Sequence, residues 1–370
     1  MTVRSAYLHI PFCKSKCKYC SFVSFVNEDK KTGYLYSLLK EIDYNYSGEC
    51  LDTLYIGGGT PSVIEAADLK KIYNKFNLSE SAEKTIEINP NDVTPDYMKQ
   101  LYDIGFNRIS IGAQSFDNNI LNLIGRRHSS DEIYRAVEII QNTGFNNISL
   151  DLIYGLPEQT IDGFKHDLNE AIKLGIQHIS LYGLKIDEGC YFYNHLPQNL
   201  PDDDIQADMY LLAGEVTSNN GFEHYEISNY SKPDYESKHN TNYWRCGEYY
   251  GFGVSAHGYV DNIRYSNTNK LQEYMDNPAS REFGKFLTKQ EMLEERIFLG
   301  FRLSCGINVQ EINKDFEIDF ENKYKNVLDK FISTGHIEKT QNGYKLSDKK
   351  EHNGFLLSNI ILSEFLETSV

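Results

Sequence analysis

Six short runs of apolar and β-favouring residues recur through the first half of the chain, at 6–10, 51–56, 85–88, 108–111, 148–154 and 178–184. Helical patterns fill the gaps, around 31–46, 65–76, 95–104, 130–143 and 161–174. Thr94 before Pro95 offers the third helix a cap and a first residue with a fixed helical φ. Gly105, Gly144 and Gly175 stand where three of these helices need a left-handed stop. Strand and helix in alternation imply a parallel sheet, because each helix carries the chain back to the end where the previous strand began. Six such units in about 190 residues predict an α/β fold, an open partial (β/α)6 barrel, where a closed eight-unit barrel takes roughly 250. A flat doubly wound sheet is the alternative. In either arrangement ligands gather at the C-terminal ends of the strands.

The chemically unusual residues sit at those ends. The first strand leads into Pro11-Phe12-Cys13 and two further cysteines. The second ends in Gly57-Gly58-Gly59-Thr60-Pro61. The third carries Glu87 and stops at Asn89-Pro90, the fourth runs into Gln114, and the fifth carries Asp151 before Gly155-Leu156-Pro157. Bare glycine backbone lets the polar end of a ligand approach N–H and C=O groups directly, although many β–α turns carry glycine for geometry alone.

Beyond about residue 187 the rhythm stops. A turn-rich acidic connection (197–204) precedes a helical pattern at 205–219 and a strand-like run at 222–227. Residues 238–259, KHNTNYWRCGEYYGFGVSAHGY, are aromatic and glycine-rich. From about 288 a helical run (291–302) leads to short helices and IEKTQNGYKLS, where Asn342-Gly343 marks a hairpin. Helices plus a hairpin suggest a winged-helix-like module. The expected division is 1–190 for the barrel, 191–287 for a sheet-extending region and 288–370 for the C-terminal module.

Of the 370 residues, 53 are acidic and 37 basic, a formal charge of −16 that argues against a nucleic-acid partner. No apolar run is long enough for a membrane span, and residues 1–12 are too short and polar for a signal peptide. The expectation is a cytoplasmic protein that is not integral to a membrane. Seven cysteines, an odd number and mostly scattered, do not form a disulfide framework.

Cys13, Cys17 and Cys20 read C-x3-C-x2-C. Three close thiolates on a four-iron cluster leave one iron open to a further ligand. A structural zinc site wants four closed ligands, and His9 or His239 could supply the fourth. Positions i, i+4 and i+7 also share a helix face, but Pro11 and the lysines at 14, 16 and 18 favour a loop. Metal is the leading reading, with an iron–sulfur cluster ahead of zinc.

At these residues the sequence resembles the radical S-adenosylmethionine superfamily: HIPFCKSKCKYC carries the cysteine signature and YIGGGTP the glycine motif. Within it, the chain resembles the oxygen-independent coproporphyrinogen III oxidases and their relatives, through IEINP, GAQSF, GRRH, DLIYGLP, YEISNY and HNTNYW. The resemblance implies that Cys13, Cys17 and Cys20 ligate a [4Fe–4S] cluster with S-adenosylmethionine on its open iron. It implies that Tyr19 and Tyr7 line the cofactor pocket and that Gly58, Gly59 and Thr60 meet the methionine moiety. Glu87, Gln114, Arg126 and Asp151 are implied to hold its charged ends and ribose hydroxyls. The bland readings are a strand-end cap for Asp151, a surface ion pair for Arg126 and a turn residue for Gln114.

Two departures bear on function. The oxidases carry a fourth cysteine two positions after the third, where this chain has Phe22, and an extension before the cluster, where this chain has twelve residues. Both match the branch regarded as haem chaperones, and HNTNYW is the haem-associated motif of that branch. The resemblance therefore implies haem as cargo, with His239, Asn240, Tyr243 and Trp244 at its site. The partners it implies are haem-accepting apoproteins, membrane-associated respiratory subunits among them; a homodimer is left open. His239 can ligate iron, Tyr243 and Trp244 offer flat apolar faces, and Cys246 and His257 are further candidate ligands. The bland reading is a packed aromatic strand with a hydrogen-bonded histidine. Cys50, Cys190 and Cys305 read as ordinary small residues. The competing functions are a haem chaperone, a radical enzyme acting on a porphyrinogen, and a nucleic-acid modifier, the last disfavoured by charge.

Overall fold

A computed structural model describes residues 3–26 and 28–367. Six parallel strands form the body of one sheet: β1 (Ser5–Ile10), β2 (Leu51–Gly58), β3 (Leu78–Ile88), β4 (Arg108–Gln114), β5 (Ile148–Tyr154) and β6 (His178–Gly183). Between them run α1 (Lys31–Asn45), α2 (Ala66–Tyr73), α3 (Pro95–Ile104), α4 (Asn118–Leu123), α5 (Ser130–Thr143) and α6 (Ile161–Lys173). Neighbours in sequence are neighbours in space from β1 to β6. Crossovers between parallel strands share one hand, so a strand order that never reverses puts every helix on the same face. The doubly wound alternative needs a reversal and is excluded. The sheet has one helix-covered face and one inner face, as in an open partial barrel.

Side-chain alternation fits this. Leu8, Leu54, Ile86, Ile109, Leu150 and Ile179 point outward into a core shared with Leu38, Leu69, Met98, Val137 and Leu168 of the helices. The inner face instead carries Tyr7, Thr53, Tyr55, Glu83, Glu87, Arg108, Ser110, Asp151 and His178. Period-two alternation of this kind means the two faces meet different environments.

The helix expected at 205–219 and the strand expected at 222–227 are present, and the structure adds elements that the sequence pattern did not announce. After α7 (Tyr191–Asn194) and α8 (Asp203–Ser218), β7 (Glu223–Glu226) and β8 (Asn229–Ser231) form a hairpin, and β8 pairs antiparallel with β6. HNTNYW lies on a helix, α9 (Lys238–Trp244), and not on the aromatic strand considered above. β9 (Tyr250–Phe252) then pairs in parallel with β1, completing a nine-stranded sheet. A second sheet of β10 (His257–Val260), β11 (Ile263–Ser266) and β12 (Phe283–Phe286) brackets α10 (Leu271–Asp276).

The C-terminal part follows the winged-helix order: α11 (Lys289–Gly300), β13 (Ile307–Asn308), α12 (Val309–Phe316), α13 (Phe320–Lys323), α14 (Lys325–Ser333), and the hairpin β14 (Ile337–Lys339) and β15 (Gly343–Leu346). Helix α15 (Ser358–Glu367) closes it. Leu293, Ile297, Phe301, Phe320, Tyr324, Leu328 and Phe365 give this part a core of its own.

Candidate functional site

The loop after β1 is pinned at several points. Cys13 N donates to Phe25 O (3.1 Å) and Phe25 N to Pro11 O, which closes the loop on its own base. Lys18 N donates to Ile124 O, and Phe192 N to Lys18 O, so α4 and α7 hold the far side. His9 Nε2 bonds Val23 O (2.9 Å) from beneath. The three cysteines thus lie on a tethered loop, not on a helix, and all three face one cavity of about 830 Å³.

The glycine loop packs directly on this loop. A Cβ on Gly59 would stand 3.0 Å from Cys13 Sγ, and one on Gly58, whose φ is +118°, would meet the His9 ring at 2.7 Å. Side chains there would fill the cradle beside the thiols. Thr60 Oγ1 donates to Cys13 Sγ (3.4 Å) and accepts from Asn89 Nδ2 (3.0 Å). Asn89 Oδ1 accepts from Arg126 Nη2 (2.6 Å), whose Nη1 donates to Cys17 Sγ (3.5 Å). One hydrogen-bonded chain therefore joins two cysteines through Thr60, Asn89 and Arg126. Sequence reading marked Asn89 only as a strand end; its partners come from other turns.

The expected cofactor residues converge with one exception. Tyr19, Gly58, Gly59, Thr60, Glu87, Gln114, Arg126 and Asp151 all line the cavity with the cysteines. Tyr7 is set back, with its hydroxyl on His9 Nδ1 (3.0 Å). Among the described residues Arg126 has no carboxylate partner: it bonds Asn89, the Gly112 carbonyl and Cys17, so the surface ion-pair reading does not hold. Gln114 adopts φ +63° at a register shift ending β4, which turns its side chain toward the cavity. Its Oε1 is buried without a partner, as is Arg126 Nε. A buried acceptor and donor left open beside one cavity are what a polar ligand would satisfy.

Glu87 accepts from Tyr55 OH (2.8 Å) and Gly58 N (3.1 Å). Burial, then the nearby Asp151 carboxylate, push its acid up to about 7. Asp151 accepts from Ser110 Oγ (3.1 Å) and is also raised by burial. Burial likewise raises the Cys13 and Cys20 thiols.

The donor set suits a cluster better than a single zinc. Among the described residues no three His, Cys, Asp or Glu side chains converge on one ion. The two histidines considered for a fourth ligand have both ring nitrogens engaged, His9 with Tyr7 and Val23, His239 with Thr53 Oγ1 and Tyr243 OH, each at 2.7 Å. Three thiols around a wide cavity, with open polar groups beyond them, fit a cluster that leaves one iron for a cofactor.

The HNTNYW segment lies beneath this cavity. His239 is buried, stacked on Tyr55 at 5.1 Å between ring centroids, and burial drives its imidazolium down to about 3. Asn240 reaches the cavity wall. Tyr243 bonds His239, and Trp244 meets Arg302 beyond α11 (5.9 Å). Cys246 and His257 do not line the cavity; His257 is exposed on β10. Phe22, in the place of the oxidases' fourth cysteine, stands 67% exposed at the cavity mouth.

Residues 7–171 match the radical SAM superfamily, and residues 287–349 match the HemN C-terminal domain. The heme chaperone HemW of Lactococcus lactis is 37% identical over 372 residues, covering 98% of this chain and 97% of that one. The heme chaperone HemW of Bacillus subtilis is 34% identical, covering 98% and 99%. Among solved structures, the coproporphyrinogen III oxidase HemN of Escherichia coli superposes with a TM-score of 0.85 over 98% of this chain and 90% of that one. Its 22% identity speaks to fold alone. No helix among the described residues is long and apolar enough to cross a membrane. The chain belongs to the heme chaperone HemW family, within the radical SAM superfamily.

Proposed function

We propose that this protein binds haem and delivers it to apoproteins, and that it carries a [4Fe–4S] cluster on Cys13, Cys17 and Cys20 with S-adenosylmethionine on the open iron. The observation that carries the reading is the presence of three free thiols and open polar groups on one cavity, in a chain related end to end to heme chaperones. When bound, the cluster can supply an electron to the cofactor. The chain's own residues hold and orient it. Gly58, Gly59 and Thr60 give it bare backbone and a hydroxyl. Arg126 and Gln114 offer their open Nε and Oε1, and Glu87 and Asp151 accept from its ammonium or ribose groups.

For haem, Asn240, Tyr243 and Trp244 supply a polar contact and flat aromatic faces beside His239. His239, bonded at both ring nitrogens to Thr53 Oγ1 and Tyr243 OH, would hold Tyr243 in place within that site. The acceptors are haem-requiring apoproteins, membrane-associated respiratory subunits among them, and seven free thiols suit the reducing cytoplasm.

The test is anaerobic purification, iron and sulfide analysis, then haem titration. About one haem per chain, weakened in His239→Ala, is expected. Turnover of coproporphyrinogen III would replace the chaperone reading with that of a radical oxidase, and absence of haem binding, or binding unchanged in His239→Ala, would remove the haem role given to HNTNYW. Zinc in place of iron and sulfide would remove the cluster.

A further inference from the structure

We infer that helix α9 sets the position of Glu87 in the cofactor cavity, acting through His239 and Tyr55. The geometry is a continuous buried contact path. Thr53 Oγ1 and Tyr243 OH fix the two nitrogens of His239, each at 2.7 Å. A ring bonded at both nitrogens cannot rotate without losing one of them. That ring stacks on Tyr55, with 5.1 Å between centroids and 28° between planes. Tyr7 packs against both rings, 6.1 Å from Tyr55 and 6.5 Å from His239. Packed in this ring cluster, Tyr55 aims its hydroxyl at Glu87 Oε1 (2.8 Å), and the second carboxylate oxygen takes Gly58 N (3.1 Å).

Gly57 is an independent mark of the same constraint. A Cβ there would lie 2.8 Å from Glu87 Oε1 and 2.9 Å from Tyr55 Cε1. The backbone is bare where the phenol and the carboxylate meet, so only this residue leaves the contact intact. The path also ends on the glycine loop, because Glu87 fixes the amide of Gly58, which lines the cavity.

Tyr55 and His239 are positioning residues in this scheme. Tyr55 touches the cavity rim, and His239 lies behind it. Loss of the Tyr55 hydroxyl leaves Glu87 with one anchor in place of two, so its carboxylate no longer has a single orientation. The inference rests on the reading of the cavity as an S-adenosylmethionine site, but it needs no haem.

The test measures S-adenosylmethionine affinity of the anaerobically reconstituted protein, without haem, in wild type, Tyr55→Phe, His239→Ala and Arg245→Ala. Hydrogen exchange of the 56–61 peptide is followed in the same proteins without S-adenosylmethionine. Tyr55→Phe is expected to weaken binding about tenfold and to speed exchange at Gly58, since it removes a charge-assisted hydrogen bond. His239→Ala is expected to follow in the same direction and to a smaller extent, because it removes the ring that holds Tyr55. Arg245→Ala, on the exposed end of the same helix, is expected to match wild type in both measurements. Cluster absorbance is expected to stay the same in all four. Wild-type affinity and wild-type exchange in either Tyr55→Phe or His239→Ala would overturn the inference. If wild type binds no S-adenosylmethionine, the cofactor reading fails, and exchange at Gly58 alone decides the positioning: faster exchange in Tyr55→Phe supports it, unchanged exchange overturns it.

Discussion

Asn89 holds Thr60 with one end of its amide and Arg126 with the other, and each of those partners donates to a cysteine sulfur. Leucine is close to it in size and can make neither bond. In Asn89→Leu, Thr60 and Arg126 are expected to lose orientation together, weakening S-adenosylmethionine binding about tenfold, the order of one such hydrogen bond to a charged group. Equilibrium binding on reconstituted protein checks this. Glu87 makes a pH prediction. Its acid is raised from 4.5 to about 7, so the folded protein binds this proton more tightly than the unfolded chain does. Stability is therefore lost as pH rises between about 4.5 and about 7. Glu87→Gln is expected to remove that contribution: melting of the cofactor-free protein at pH 5.5 and pH 8 should show a smaller drop than wild type. The cysteines, the glycine triplet, Glu87 and Asp151 were legible because each falls at the ligand end of a strand pattern. Asn89 was not, because its partners are 29 and 37 positions away and only the folded strand ends bring them together.

Helix α9 shows what was illegible at the level of elements. His, Asn, Thr, Tyr and Trp are middling or poor helix formers, and seven residues are too few to hold a helix in isolation. Tertiary contacts supply what propensity lacks. Ser237 caps Asn240 N, and the Glu83 carboxylate, from the inner face of β3, accepts from Lys238 N (3.0 Å) and His239 N (3.1 Å). An anion at a helix N-terminus also meets the positive end of its dipole. In Glu83→Ala the first amides of α9 lose their acceptor in a buried place. A loss of about 1–3 kcal/mol is expected, read by urea unfolding, with faster hydrogen exchange in the 238–244 segment than elsewhere in the sheet. Helices α3 and α5, by contrast, begin and end where Thr94, Pro95, Gly105, Ser129 and Gly144 place their stops, because local capping decides those boundaries.

At the scale of the molecule, the six-unit rhythm revealed a parallel sheet and favoured the partial barrel, with the doubly wound sheet left as the alternative. The alternation Arg108-Ile109-Ser110-Ile111 and His178-Ile179-Ser180-Leu181 carried the missing information, since a sheet covered by helices on both faces would be apolar on both. The joining of β9 to β1 had no local signal, because its fastening spans more than two hundred positions. Glu41, buried on α1, accepts from Gly253 N (2.7 Å), Tyr274 OH (2.6 Å), Asn267 Nδ2 (2.7 Å) and Arg281 Nη1 (2.9 Å). One carboxylate thus ties the first helix to the residue after β9, to the segment leaving β11, to α10 and to the stretch before β12. Removing it leaves three neutral donors and one guanidinium, three-quarters buried, without their shared acceptor. Breaking a buried pair from one side costs about 3–5 kcal/mol, so Glu41→Ala is expected to lose about that much in chemical denaturation. Glu41→Gln keeps one acceptor oxygen and is expected to lose less. Because β9 edges the sheet beside β1, fraying is expected to start there. Hydrogen exchange in Glu41→Ala should quicken at 250–254 before it does at β4 or β5, and uniform exchange across the sheet would assign Glu41 to general stability instead.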